Sequence, residues 1–315
     1  METTLSSQEN HRYLREKAGY FFLDDLCLIS AEGSDLFSYL QTQTTNDVNE
    51  LKPGQGQNNA IVDRKARVIS TFSLHRTGEE SAVILVETQQ KENLLNHLNT
   101  FLFREDVTLT SSSHFVLALQ GPKSQEIIKS FTRSNDSIPE KPNDICKFTF
   151  EGLPALAIAK SLTGEEGCVL VFQTESEDTI TKKLLEFEQQ NILIQVDPHA
   201  QEVFRIESGI PSYGKDINDK NILPETGLEH SSVSYNKGCY IGQEVIARIK
   251  TYGAPNFALM GLIIEGDTLP LHDNEIKLNS KKLGVIKSSI FSYSLQKNIS
   301  LAYIQKDHRS PDIDL

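Results

Sequence analysis

Strand-like and helix-like segments alternate twice along the first two thirds of the chain, and this alternation constrains the fold more than any other feature. Apolar runs typical of strands occur at 59–62, 68–74 and 82–87, and in 91–102 the apolar residues then recur every three or four positions, as on a helix with one buried face. A second alternation begins with a predicted strand at 115–119. Two such stretches of about 90 residues predict two α+β domains of split βαβ character.

The last part of the chain has a different pattern. From Phe257 onward it contains strand and turn signals without a helical period, which predicts a small closed or nearly closed β domain. We therefore expect an α+β fold of three domains. The first combines 20–110 with 200–250, the second is 111–199, and the third, a β-barrel, is 251–315.

Two segments between these domains carry clear local signals. The segment 197–208 predicts a helix, because Asp197 and Pro198 are cap and first-turn residues and Gly209 ends the pattern. A long polar segment, 210–237, follows it. Loops of this length inside a compact protein are usually functional or disordered. At the other end, a single strand is predicted at 21–30.

Charge and cysteine content exclude several classes of function. The net charge is -12, from 31 Lys and Arg against 43 Asp and Glu, which disfavours direct nucleic-acid binding and acidic membranes. The cysteines are far apart and include no C-x-x-C pair, so no metal site is predicted: Cys27, Cys146, Cys168 and Cys239. A reducing compartment is favoured, and with no signal-peptide or membrane-span pattern we expect a cytoplasmic protein.

The most unusual local sequence is KGCYIGQE at 237–244. Two glycines flank Cys239 and Tyr240, and a helix beginning after Gly242 would favour the thiolate of a cysteine near its N-terminus. It would also place Glu244 and Arg248 one turn apart. Two interpretations remain open: a reactive thiol, or a small buried hydrophobe beside a surface ion pair worth about 0.3–0.5 kcal/mol.

Glu207 is the second unusual residue. It lies in the last turn of the predicted 197–208 helix, where its charge opposes the helix dipole at a cost of roughly 0.3–1 kcal/mol. A carboxylate placed badly for stability suits a ligand, and carboxylates bind the amidine-like edge of pterin or guanine. The alternative is an exposed glutamate paired with Arg205 or a lysine. Asn46, Gln120 and the Tyr213 loop are further polar groups at loop edges, where ligands are commonly bound.

Several of these segments together resemble the YgfZ-type folate-binding proteins, a branch of the superfamily that includes the glycine-cleavage T protein, an aminomethyltransferase. The resemblance rests on KGCYIGQE and on LQTQTTNDV at 40–48, DRKARVIS at 63–70, ALQGP at 118–122, RIESG at 205–209 and KLGVIKSS at 282–289. It implies three domains around a central opening that holds tetrahydrofolate or a one-carbon derivative of it.

The resemblance also implies roles for single residues. Glu207 matches the carboxylate that binds the pterin in the T protein, and Asn46 and Gln120 match residues at the pocket edge. Arg248 is expected near the acidic tail of folate, and Cys239 matches the signature cysteine of the branch. Tyr240 and Glu244 complete the expected folate site, with Tyr240 a candidate for stacking on the flat ligand.

One departure from the resemblance bears on chemistry. The aminomethyltransferases carry a G-G-x-x-D-D pattern with an Asp beside the folate nitrogens, where this chain has residues 66–71, ARVIST. Asp63 is close in sequence but precedes the turn. Loss of a general acid or base typically costs about 10²–10⁴-fold in rate, so efficient glycine cleavage is not expected.

The leading expectation is therefore a tetrahydrofolate-binding protein that supports assembly or repair of iron–sulfur clusters in other enzymes, including tRNA-thiolating ones, through Cys239. Its partners would be iron–sulfur proteins or cluster-assembly factors. Two alternatives stay open: a folate-dependent aminomethyltransferase, and a folate-free scaffold that binds protein partners.

Overall fold

The computed structural model describes residues 5–131, 138–150 and 152–310. The strands are β1 Gly19–Phe22, β2 Leu26–Glu32, β3 Gly56–Val62, β4 Val68–Arg76, β5 Ser81–Glu87, β6 Thr108–Ser112, β7 His114–Gln120, β8 Ile145–Phe150, β9 Leu153–Ala159, β10 Gly167–Gln173, β11 Ile194–Gln195, β12 Phe257–Ile264, β13 Glu275–Leu278, β14 Lys281–Ser292 and β15 Lys297–Gln305. The helices are α1 Ser7–Glu16, α2 Leu36–Gln43, α3 Thr88–Thr100, α4 Ser124–Phe131, α5 Glu177–Gln189, α6 Pro198–Glu207, α7 Glu229–Ser232 and α8 Gln243–Thr251.

Three sheets form the framework, as the alternating pattern predicts. The first has the order β3-β4-β5-β2-β6, the second β11-β1-β7-β10-β9-β8, and the third β12-β15-β14-β13. The first two carry helices and the third is a small β domain at the C-terminal end, which confirms the predicted fold class. Among the described residues, no helix is both long enough and apolar enough to span a membrane.

The predicted strand at 21–30 is wrong in one respect, because the chain forms two strands there. A turn at Asp24 and Asp25, closed by a hydrogen bond from Leu26 N to Leu23 O, separates β1 from β2. β1 pairs with β7 and β11 in the second sheet, whereas β2 pairs with β5 and β6 in the first. Both strands are apolar, so the sequence pattern did not show that the chain changes sheets between them. The domain boundaries stay a prediction, with β1 belonging to the second sheet.

The two large sheets pack face to face through an apolar layer. Leu28, Val83 and Leu85 of the first sheet are buried in one cluster with Ile158 and Val169 of the second. The C-terminal sheet packs instead on α6, and their shared apolar residues are Val203, Ile206, Ile290, Ile299 and Leu301. Helix α6 therefore links the C-terminal domain to the rest of the molecule.

Helix α6 forms where the sequence predicts it. Pro198 is its first residue, and the side chain of Asp197 accepts hydrogen bonds from His199 N at 2.9 Å and Ala200 N at 3.0 Å. The long segment after it is ordered. It contains a 3₁₀ turn at Leu223–Glu225 and helix α7, and Leu223 is fully buried.

We expect Asp197→Ala to lower the free energy of unfolding by about 1 kcal/mol, the usual cost of losing a helix cap. Asp197 also accepts from Ser7 Oγ of α1 at 3.0 Å, so the loss should not be smaller than for a cap alone. Urea unfolding followed by circular dichroism measures it. The exposed Asp267, changed to alanine, is the control. Equal stabilities for the two variants would contradict the cap's contribution.

Candidate functional site

The KGCYIGQE segment forms the loop that leads into α8. Cys239 is exposed in this loop, and Gly242, at the N-cap of the helix, has φ of 86°. A Cβ at Gly242 would lie 2.6 Å from Asp63 O and 2.7 Å from Val62 Cγ2. Only glycine fits this close approach and this backbone conformation. The second glycine of the motif therefore holds the loop against the β3–β4 turn, and Cys239 faces solvent beside it.

Lys237 holds the other end of the loop, and the sequence analysis did not assign it a role. Its ammonium donates to Thr44 O at 2.7 Å and to Asn46 O at 2.6 Å, and it lies 5.3 Å from the ring centroid of Tyr240. Burial lowers the pKa of Lys237 to about 8, although the charge of Asp47 opposes this effect. A buried lysine bonded to main-chain carbonyls is a long-range contact that no sequence motif signals.

Asn46 contacts the KGCYIGQE loop, which we call the signature loop, through the ammonium of Lys237. Its side-chain amide donates to Asn58 O at 2.9 Å and to Ser231 O at 3.2 Å. Both amide protons are therefore used within the protein. Asn46 and Cys239 belong to one local assembly, in which Lys237 is the connection. The role of Asn46 as a folate contact stays a prediction.

The remaining residues of the motif separate into a buried and an exposed group. Tyr240 is 8% exposed and packs with Ala60 and Val68, and burial raises its pKa to about 12. Glu244 and Arg248 form an i,i+4 pair at 3.1 Å with side chains 88% and 66% exposed. The pair has the geometry of a solvated surface pair, as one of the two interpretations anticipates. Tyr240 has little free ring surface for stacking in this conformation.

Glu207 is enclosed in a network that joins three parts of the molecule. Its carboxylate accepts from His11 Nε2 at 2.9 Å and Arg15 Nη2 at 2.8 Å on α1. It also accepts from Ser292 Oγ at 2.6 Å, Ser294 N at 3.1 Å and Ser294 Oγ at 2.9 Å beside β14. The side chain of Glu207 is only 5% exposed. Five donors leave this carboxylate little capacity for a ligand in this conformation.

This network explains why a carboxylate is tolerated at the end of α6. Burial alone would raise the pKa of Glu207, but the hydrogen bonds to it outweigh burial and hold the pKa well below the usual 4.5. Arg205, the partner considered from sequence, bonds instead to Glu202 and Asp216. No described contact links Glu207 to Cys239, and their place in one pocket stays a prediction.

Gln120 is also enclosed by contacts within the protein. It is fully buried at the end of β7, where its amide donates to Lys160 O at 2.9 Å and its oxygen accepts from Leu162 N at 2.8 Å. A Cβ at Gly167 would lie 2.3 Å from Gln120 Nε2. The side chain thus holds the 160–163 segment against β10, and its place at a pocket edge stays a prediction.

Residues 66–71 offer no carboxylate. Ala66 has φ of 62° in the turn before β4, and Thr71 Oγ1 and N bond to the side chain of Gln90. Asp63 is committed to the same turn, since one carboxylate oxygen accepts from Lys65 N at 2.8 Å and Arg67 N at 2.9 Å. The carboxylate nearest in sequence is therefore a structural group of the turn.

Two cavities lie at the C-terminal domain. One, of about 610 Å³, is lined by residues that include Ile264, Asp273 and Ile276, and the other, of about 430 Å³, by residues that include Glu225 and Tyr303. Neither is lined by Cys239, Glu207 or any other predicted site residue. Within the described residues, no three His, Cys, Asp or Glu side chains are grouped to hold a metal ion.

Comparison with known protein families finds two matches that together cover nearly the whole chain. A family model described as the GCVT N-terminal domain matches residues 2–237, and the glycine cleavage T-protein C-terminal barrel domain matches residues 258–314.

Similar curated proteins are named aminomethyltransferase. The one from Halalkalibacterium halodurans is 27% identical over 96% of this chain and 83% of its own length. That from Bacillus cytotoxicus is 26% identical over 98% and 85%. The crystal structure of glycine cleavage system aminomethyltransferase T from Bartonella henselae superposes with a TM-score of 0.86 at 18% identity, over 97% of this chain and 83% of that one. At this identity the superposition shows the fold alone.

Removing the charge of Glu207 should destabilise the protein in a pH-dependent way. Because the folded pKa of Glu207 lies below its usual 4.5, the carboxylate stabilises the fold above that pH and loses this contribution as the pH falls below it. Glu207→Gln should cost about 1–3 kcal/mol at pH 7 and flatten the loss of stability in acid. Urea unfolding from pH 7 to pH 3 measures both effects.

The matched control for Glu207→Gln is Glu165→Gln. Glu165 is the other partner of Arg15, at 2.6 Å, and its side chain is 25% exposed. Partly solvated pairs contribute about 0–1 kcal/mol. Equal losses and equal pH profiles for the two variants would mean that the enclosure of Glu207 has no energetic consequence.

Lys237→Met should loosen the loop that carries Cys239. The change leaves two main-chain carbonyls without their donor, at a cost of about 1–3 kcal/mol. We expect a lower melting temperature and faster reaction of Cys239 with a thiol reagent. Lys281→Met, at an exposed strand end, is the control. Unchanged thiol kinetics in a destabilised Lys237→Met protein would show that the lysine supports the fold without restraining the loop.

Proposed function

Because the chain belongs to the glycine cleavage T-protein family, we propose that it binds a tetrahydrofolate and handles a one-carbon unit on it, in the manner of an aminomethyltransferase. The observation that carries this proposal is the family match, which covers 2–237 and 258–314 and so includes all three sheets. The names of the similar proteins favour aminomethyl transfer in particular.

The proposed folate contacts come from the loop edges around the signature motif. Arg248 has an exposed guanidinium, which suits the acidic tail of folate, since carboxylates and guanidinium groups form strong charge-assisted hydrogen bonds. Asn46, Tyr240 and Glu244 would contact the ligand only after local rearrangement or from their accessible edges. Glu207 and Gln120 would have to exchange protein partners for the ligand.

A second candidate function is favoured by two specific observations. Cys239 is exposed at the start of the α8 segment, and residues 66–71 hold no carboxylate for transfer chemistry. On this basis the chain would be a YgfZ-type protein in which bound tetrahydrofolate and Cys239 support iron–sulfur cluster assembly or repair, with effects on tRNA thiolation following from it. Both candidates require folate binding and differ in what Cys239 does.

Two assays separate these proposals. Titration calorimetry with tetrahydrofolate tests binding, and absence of any heat would favour a folate-free scaffold. Formation of methylenetetrahydrofolate from an aminomethyl carrier, at rates well above the protein-free reaction, would support transfer. Folate binding without product formation would favour the function that depends on Cys239.

Cys239→Ala provides the sharpest variant. If Cys239 acts on clusters or on a partner, this change should leave the affinity for tetrahydrofolate within about twofold and abolish rescue of cluster-dependent enzyme activity in cells lacking the protein. Cys27→Ala is the control, because Cys27 lies in β2 against Thr88 Oγ1 at 3.2 Å. Normal rescue by Cys239→Ala would remove this thiol from the function.

A further inference from the structure

The smaller of the two cavities lies between the C-terminal sheet and the segment that follows α6; we call it the Tyr303 cavity. Its volume is about 430 Å³, and its walls include Glu225 of the 3₁₀ turn, Phe257 of β12, Val285 of β14 and Tyr303 of β15. Val285 and Tyr303 are paired across the sheet, so their side chains share one face. None of the residues predicted to bind folate lines this cavity.

Two oxygen atoms at this cavity have no hydrogen-bond partner among the described residues. They are the hydroxyl of Tyr303 and the side-chain oxygen of Gln305, and both atoms are buried. Tyr303 is 6% exposed. The two residues are two apart on β15, so they point to the same side of the sheet, and Gln305 is paired across the sheet with Phe257 of the cavity wall. Buried polar atoms without a partner are rare in folded proteins, and a ligand is one explanation for them.

The hydroxyl of Tyr303 lies on the side of the cavity that carries Glu225. Burial raises the pKa of Tyr303, and the charges of Glu225 and Asp216 raise it further, which places the hydroxyl near both carboxylates. Asp216 is already occupied, since it accepts from Arg205 Nη1 at 2.6 Å and from Ser288 Oγ at 2.6 Å. Glu225 is therefore the carboxylate near Tyr303 that can still accept a hydrogen bond from a ligand.

Glu225 is also the lining carboxylate that has no ion pair in the part of the chain that the structure describes. Three carboxylates and two ammonium groups line the Tyr303 cavity. Lys287 pairs with Asp273 at 2.5 Å, and Lys282 pairs with Glu275 at 3.0 Å. These pairs use both lysines of the wall, so the charge that remains available is negative.

The surroundings of Glu225 favour the binding of a cation. Burial raises the pKa of Glu225, whereas two main-chain hydrogen bonds and the charge of Arg309 lower it. Arg309 does not pair with this carboxylate directly, because its guanidinium donates to Pro255 O at 2.5 Å. No side chain among the described residues hydrogen-bonds to the carboxylate of Glu225. A partly desolvated carboxylate of this kind is stabilised when an opposite charge is added beside it.

The rest of the wall suits the organic part of such a cation. The rings of Phe257 and Tyr303 offer aromatic faces, which attract cations, and Val285 adds an aliphatic surface. An inorganic ion gains little from these groups, whereas an alkyl chain buries apolar area against them.

We propose that the Tyr303 cavity binds a primary ammonium group carried on an aliphatic chain. An ammonium has three N–H donors and no acceptor. The three acceptors that face it are the carboxylate of Glu225, the hydroxyl oxygen of Tyr303 and the side-chain oxygen of Gln305. The aliphatic chain packs on the apolar wall. A free diamine and the lysine side chain of another protein carry the same group, and this inference does not depend on folate binding.

Calorimetric titration of the full-length protein with 1,5-diaminopentane tests the proposal. We expect saturable binding to the wild type and a Kd at least about tenfold higher for Glu225→Gln, which loses a charge-assisted hydrogen bond. Tyr303→Phe should raise Kd about three- to tenfold, because it loses a neutral hydrogen bond. The control is Glu265→Gln, at an exposed carboxylate of the same domain, which should leave Kd unchanged. Absence of saturable binding to the wild type, or the same Kd in both cavity variants as in the wild type, would overturn the proposal.

The stability of Tyr303→Phe tests the role of the hydroxyl separately. Because this hydroxyl has no partner among the described residues, its removal should leave the urea midpoint of unfolding unchanged or raise it. Weaker diamine binding by a fully stable variant would assign the hydroxyl to the ligand. A clear fall in the midpoint would show that the hydroxyl is already bonded within the protein and would remove it from the site.

Two further ligands need no variant. 1,5-Pentanediol has the shape of the diamine without its charge and should bind the wild type at least about tenfold more weakly; equal affinities would contradict an ammonium site. Nα-acetyl-lysine methylamide presents the ammonium as a protein does. Tighter binding of this compound than of the diamine would support the lysine of a partner protein as the source, and the reverse order would support a free amine.

Discussion

The carboxylate of Glu207 is the constraint on which the arrangement of the molecule depends. It ends α6 and accepts hydrogen bonds from α1 on one side and from the end of β14 on the other, while the apolar face of α6 packs on the C-terminal sheet. Arg15 extends the network to Glu165 beside the second large sheet. The charge of Glu207 opposes the dipole of α6, which costs a small amount of free energy. Its hydrogen bonds nevertheless connect α6 to α1 and to the C-terminal sheet.

The signature loop is positioned by a different principle, close backbone packing. Gly242 approaches the main chain of Asp63, and Lys237 binds two main-chain carbonyls of the segment after α2. Both contacts are made to main-chain atoms of neighbouring segments, Asp63 O for Gly242 and the carbonyls of Thr44 and Asn46 for Lys237. Cys239 lies between these two anchor points with its side chain exposed. A thiol can be presented to a large partner in this way without loosening the fold beneath it.

Local patterns in the sequence predicted much of the fold and little of the site. The α6 helix was predicted with its cap at Asp197, because capping depends on residues within one turn. The unusual charge of Glu207 was also recognised, but its partner Arg15 lies 192 residues away on a helix that the sequence analysis did not predict. Gln120 presents the same difficulty, because a polar residue at the end of a strand can either lie at the edge of a loop or be buried and bind another segment of the chain. Long-range partners decide such cases, and no single-sequence pattern specifies them.

The turn between β1 and β2 has a consequence for how the polypeptide comes to be assembled. β1 lies inside the second sheet, between β7 and the short β11, so that sheet is built from three separated parts of the chain. During synthesis β1 cannot pair with β7 until β7 has been made. By then β6, the last strand of the first sheet, has already been made and can pair with β2. The two sheets are therefore not successive folding units. When the strands of the first sheet have been made, the apolar strand β1 is still unpaired, and only later residues of the chain can cover it.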